Sequence, residues 1–164
     1  MKKRWLWISL VFILVLLVVA AGLIYRTARG GLPVTKGSIP ADTEYPVEIY
    51  RDSYGIPHII ASTMEDLFFA QGYVQAQDRL WQMDMSRRGV GGRLSEILGE
   101  DFLETDLFTL TIGFYRAAEK NYELLDPESL ALLEAYAAGV NAYIADNGSR
   151  LSPEFTLLGY SPAP

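Results

Sequence analysis

The chain has a single histidine, His58, in the run RDSYGIPHII from Arg51 to Ile60, with Asp52 and Ser53 shortly before it. A serine nucleophile working through an imidazole needs that histidine between a serine and a carboxylate. The GxSxG turn that presents such a serine is absent from the sequence. His58 is therefore expected to be a hydrogen-bonded turn or core residue, Asp52 to cap its own turn, and Arg51 to pair with a carboxylate elsewhere. Zinc would need further nitrogen or sulfur ligands, and there is no cysteine. Arg87, Arg88 and Arg93 surround Gly89, Gly91 and Gly92, where backbone amides could approach an anion. GVGGRLSE matches no phosphate loop, so a helix-to-helix turn with arginines clamping nearby carboxylates is the expectation. Glu96, Glu100, Asp101, Glu104 and Asp106 carry the oxygens calcium prefers, but without a DxDxDG loop they read as a solvated acidic surface. No catalytic, cofactor-binding or metal-ligating residue is assigned.

The polar residues of YVQAQDRLWQMDMSRRG, Tyr73 to Gly89, are less ordinary. With Gln71 ahead of them, Gln75, Gln77, Asp78, Arg79 and Gln82 place amides and one Asp–Arg pair where a solvated helix face would use Lys and Glu. That pattern predicts a buried polar network packed on another segment, architectural rather than catalytic.

The elements that would position these residues can be read in order. Val47 to Arg51 alternates as a strand, Asp52 to Gly55 supplies turn chemistry, and Pro57 forces Ile56 to be extended before a second strand, His58 to Ala61. Ser62 and Glu65 stand at capping-box spacing, and a helix runs from there to about Ser86, with Leu67, Ala70, Val74, Trp81 and Met85 as its apolar stripe, widened by Phe68, Tyr73 and Leu80. The glycines from Gly89 break it, and Leu94 to Leu98 forms a short helix closed by Gly99. Helical spacing runs again from Thr105 to about Leu125. Asp126-Pro127 starts another helix that stops at Asn147-Gly148. The proline-bearing tail beyond Gly148 shows no further element.

Ahead of this lie three other zones. Residues 1–4 form a basic stretch, residues 5–25 an apolar run with Ser9 its clearly polar member, and residues 26–46 a Gly- and Pro-rich linker. At about 1.5 Å per residue the apolar run spans a hydrocarbon core of about 30 Å, with Trp5, Trp7 and Tyr25 near its ends. An uncleaved membrane anchor is the reading; a cleaved secretory signal, with small residues Val18, Ala20 and Gly22 before a cut, is the alternative. Both export the residues beyond the run, which predicts a single-pass protein with its folded part outside the cytoplasm. Beyond Arg29 nine basic residues face all 20 acidic ones, a net charge of −11 that argues against a nucleic-acid partner.

RDSYGIPHI, then YVQAQDRLWQMDMSRRGVGGRLSEILG, then DPESLALLEAYAAGVNAYI and the FTLLGYSPAP ending resemble, in order, the opening of the penicillin acylase family of N-terminal-nucleophile amide hydrolases. The resemblance covers residues 47–164. It implies a helix-rich α+β fragment of a four-layer αββα sandwich, preceded here by one transmembrane helix. It also implies a precursor that cuts itself into α and β chains. The new N-terminal serine of β would attack the amide, with its own α-amine as base and backbone amides and an asparagine holding the oxyanion. Substrates would be small acylated amides: penicillins, cephalosporins or N-acyl-homoserine lactones. Calcium is possible in a full-length enzyme, with none held by this chain. The resemblance reaches only the first part of the α chain, so the partner it implies is the downstream β-chain region, and this chain alone is predicted to be inactive and unstable. A membrane-anchored helical interaction module, or a decayed gene fragment, is the competing reading.

Overall fold

The computed structural model describes residues 2–30, 32, 36–148 and 150–164. Helix α1 spans Lys2–Gly30. Its large apolar side chains, from Trp5 to Tyr25, are exposed wherever they are described. Among the described residues no helix is long and apolar enough to cross a membrane. The side chains of Leu6 and Ser9, both inside the 5–25 run, lie outside the described residues, as do linker positions 31 and 33–35.

The expected hairpin forms. Strands β1 (Glu48–Arg51) and β2 (Pro57–Ile60) pair antiparallel, with Tyr50 opposite His58 and Arg51 opposite Pro57. Asp52 Oδ1 accepts from the amides of Tyr54 and Ile56, both at 2.9 Å, and Gly55 takes a positive φ of 79° to close the turn. The side chain thus satisfies the turn's own backbone, as the sequence predicts.

Helix α2 (Met64–Gly91) begins one residue later than expected. Thr63, not Ser62, is the cap: it is extended, and its hydroxyl accepts from the amide of Asp66 at 3.1 Å. The helix runs through Gly89 and stops where Gly92 adopts the left-handed conformation (φ 63°), which a side chain would resist. Its buried face matches the expected one in part. Ala70, Tyr73, Val74 and Leu80 are buried as expected, but Leu67, Phe68, Trp81 and Met85 are only half-buried, and Phe69, Gly72 and Ala76 complete the contact.

The reason is close approach. Helix α6 (Pro127–Asn147), capped by Asp126 on the amide of Ser129, crosses α2 so tightly that a Cβ on Gly72 would collide with the Tyr136 carbonyl oxygen. One on Gly139 would collide with that of Phe69. Small residues rather than large ones therefore define the seam. The core continues through Tyr143 to Leu151 and Phe155.

Between these helices lie α3 (Ser95–Leu98), a 3₁₀ turn at Glu100–Phe102, α4 (Leu103–Ile112) and α5 (Phe114–Tyr122). The single helix expected over 105–125 is split in two, because Gly113 turns left-handed with φ 80°. The tail holds an element the sequence pattern does not reveal, α7 (Pro153–Leu158). Pro153 opens its first turn, and Phe155, 4% exposed, anchors it edge-on against Trp81.

Candidate functional site: a charged frame along one helix

Asp66, Asp78, Asp84 and Glu96 tie the other segments to the ends and middle of α2, and Asp106 caps the helix that follows it. At its start, Asp66 is 3% exposed and accepts from the amides of Glu44 (2.8 Å) and Tyr45 (3.1 Å). Burial opposes its ionisation, but these donors and the Thr63 hydroxyl outweigh it and hold the carboxyl below its usual range. In the middle, Arg51 reaches across from β1. Its guanidinium grips both oxygens of Asp78 (2.9 and 2.8 Å), the Gln77 side-chain oxygen (2.8 Å) and the Gly55 carbonyl (3.0 Å). The two-pronged grip uses the planar geometry that suits arginine to carboxylates. The backbone of α2 leaves helical geometry at Arg79, directly after the gripped pair.

At the far end the Asp84 side chain, 1% exposed, accepts from Arg87 (2.8 Å), Arg88 (2.9 Å) and the Tyr160 hydroxyl (2.8 Å). Burial would raise its pKa; Arg88, Tyr160 and Arg87 together lower it. The same contact, added to desolvation, pushes the Tyr160 hydroxyl up. Arg88 continues to Glu96 at 2.8 Å and lies over the Tyr160 ring, 5.1 Å from its centre. Arg87 also donates to the carbonyls of Ala163 and Pro164. Asp106, 3% exposed, caps α3 by accepting from the amides of Leu94 and Ser95 and the Ser95 hydroxyl.

These contacts decide the sequence expectations one by one. Arg51 does find a carboxylate. Arg87, Arg88 and Arg93 do clamp carboxylates, Arg93 through Glu96 at 2.8 Å. Asp106 is a buried cap rather than part of a solvated acidic surface, whereas Glu96, Glu100, Asp101 and Glu104 are exposed as expected, Glu96 also bridging Arg88 and Arg93. Among the described residues no group of three His, Asp or Glu is placed to hold a metal ion. The amide stripe is largely exposed rather than buried: Gln71, Gln75 and Gln82 face outward, Gln75 meeting the Tyr136 hydroxyl at 2.9 Å. The buried polar network lies elsewhere, on Asp66, Asp84, Arg88 and Asp106, which the amide pattern does not single out. One signal for it is present: Asp84 stands four residues after Leu80 and eight after Ala76, on the buried face, with Arg88 one turn further on.

His58 is an exposed strand residue rather than a core one. Its ring stacks on Tyr50, centres 4.7 Å apart, and its Nε2 lies 3.5 Å from Asp52 Oδ2. Asp52 is occupied by the turn amides, of which Ile56 depresses its pKa most. An open groove of about 620 Å³ runs between the hairpin tip and α2, past Ile56, Pro57, Leu67, Gln71, Gln75 and Asp78. Asp78, its carboxylate, is held by Arg51. The described residues thus build a positioning frame along α2.

A helix-rich body fronted by this hairpin and frame has known counterparts. The family model for penicillin amidase matches residues 46–164, and the chain belongs to that family. It is 41% identical over 137 residues to penicillin acylase 2 proenzyme from Pseudomonas sp. (strain SE83), covering 83% of this chain and 18% of that protein. It is 39% identical over 132 residues to penicillin G acylase from Escherichia coli, covering 76% of this chain and 16% of that protein. Identity is again 39%, over 132 residues, to acyl-homoserine lactone acylase QuiP from Pseudomonas aeruginosa, covering 80% and 16%. The fold resembles that of a thermostable penicillin G acylase from Alcaligenes faecalis, with a TM-score of 0.65 and 32% identity over 73% of this chain and 65% of that one. The chain spans less than a fifth of the length of these curated relatives.

Proposed function

We propose that this chain is the amino-terminal part of an exported, membrane-anchored amide hydrolase that removes N-acyl groups from small amides such as β-lactams or acyl-homoserine lactones. The observation that carries the reading is the 41% identity to a proenzyme of which this sequence represents only 18%. In this reading α1 is the single-pass anchor, residues 26–46 the tether, and residues 47–164 the first part of the α-chain region of an αββα sandwich. The nucleophile, its base and the oxyanion donors belong to the downstream region of the same precursor, as does any calcium site.

The role of this part is then positional. Arg51 locks the hairpin to α2, and the Asp84 cluster locks the tail to the other end of α2. The apolar side chains of α4 and α5, with Phe108 66% exposed and Phe114 51%, offer surface for the remaining chain to cover. Purified alone, the 164-residue chain is expected to hydrolyse neither penicillin G nor an N-acyl-homoserine lactone. Measurable turnover of either by this chain would overturn the assignment of the chemistry to the downstream region. Carbonate extraction of cell membranes, with protease accessibility of the body from the outer side, tests the anchor and its orientation.

A further inference from the structure

Between α1 and the folded body the chain changes character abruptly. Residues 36–42 are exposed, and residues 36–43 have no helix or strand. None of residues 36–43 enters a hydrogen bond or ion pair among the described residues. Lys36 to Pro40 line one side of a cavity of about 410 Å³ whose other walls include Ile49, Tyr73 and Tyr143. The next two residues are the opposite. The amides of Glu44 and Tyr45 both donate to the buried Asp66 carboxylate, which the start of α2 holds in place. The Glu44–Tyr45 peptide bond is therefore held through its own amide, and the preceding amide is clamped as well.

An endoprotease needs several consecutive residues free to adopt its own extended geometry, and such stretches are where nicking concentrates. We propose that residues 36–43 form a proteolytic release site, cut on the Lys36 side by an endoprotease with an acidic specificity pocket, and that the Asp66 clamp sets the downstream limit of the site. Water adds across the peptide bond, leaving a carboxylate on the α1 side and a new amine on the body side; no other reactant is consumed. The body keeps its frame after the cut, because the partners of Asp66, Arg51 and Asp84 all lie at or beyond Glu44. The inference rests on the anchor reading above and is independent of the acyl chemistry.

The test is limited proteolysis of the full chain in detergent, with cut sites read by mass spectrometry. Trypsin is expected to cut first at Lys36–Gly37 and to leave a 37–164 fragment that retains its helical circular dichroism. A first cut at any other lysine or arginine, or a fragment that loses its helicity, overturns the proposal. A glutamate-specific endoprotease is expected to spare Glu44 in the wild type, and Asp66→Asn to speed that cut about tenfold; an unchanged rate removes Asp66 from the proposal. Should Asp66→Asn fail to fold, Lys36→Gln decides: it must abolish the first tryptic cut and leave the later ones unchanged, and persistence of the first cut overturns the site.

Discussion

The crossing of α2 with α6 and the arm made by α4 and α5 are both helical and both rich in apolar residues, yet they are built on opposite principles. At the crossing, Ala76 is 1% exposed and Ala70 3%, and two glycines let backbone meet backbone. On the arm, Phe108 is 66% exposed and Leu107 56%, although these side chains are far larger. Burial in this molecule is thus governed by whether a partner helix is present, not by the size of the apolar side chain. The crossing is buried within this chain; the arm leaves its apolar side chains exposed.

That contrast can be broken at several points. The largest effect is expected from Asp84→Ala, which strands the buried Arg88 guanidinium and frees Tyr160; a loss of about 3 kcal/mol in urea unfolding is predicted. If the body shows no cooperative transition at all, the instability expected of a partial sandwich holds and the crossing is not self-contained. Gly139→Ala forces a methyl group against the Phe69 carbonyl and is expected to cost about 2 kcal/mol, because backbone cannot yield as a side-chain tip can.

Acid gives a third, graded test. Asp66, Asp84 and Asp106 all have folded pKa values held below their usual range. Groups of this kind stabilise the fold fully above their unfolded pKa, about 3.9, and lose that contribution as pH falls through the folded values. Stability is therefore expected to hold down to about pH 4 and to drop below it. Asp84→Asn should make that drop shallower in a pH series of urea melts. At the small end, Phe108→Ser on the arm is expected to change stability by less than about 0.5 kcal/mol while reducing self-association on a sizing column. A large destabilisation there would show that the arm already buries its apolar face.

Legibility in the sequence divides along the same line. Elements defined by local chemistry are legible: the Asp52 turn with Gly55, the Asp126-Pro127 start of α6, and the stop at Gly148 depend only on neighbours in the chain. The buried face of α2 is legible only in part: large apolar residues point to Tyr73, Val74 and Leu80, which are buried, but also to Trp81 and Met85, which are only half-buried. The actual seam is chosen by how closely another helix approaches at Gly72. The site is legible in part. Arg51 and the three arginines near Gly89 announce that they need carboxylates, but which carboxylates depends on contacts between residues far apart in sequence. Tyr160 on Asp84, 76 positions apart, lies beyond any local pattern. Helix α7 is hidden for the same reason, since Phe155 is held by packing on Trp81.

The Arg51 fork also says something about the order in which the molecule assembles. It joins positions 27 residues apart, so closing that loop costs about 3 kcal/mol of chain entropy before any hydrogen bond forms. The hairpin and α2 each complete their own local bonds without it, and only when both exist is a two-pronged target presented. The fork is thus expected to close late, after both elements exist. Replacing Arg51 with lysine, which offers a point charge in place of the planar fork, is expected to hasten unfolding in stopped-flow traces while leaving the refolding rate nearly unchanged.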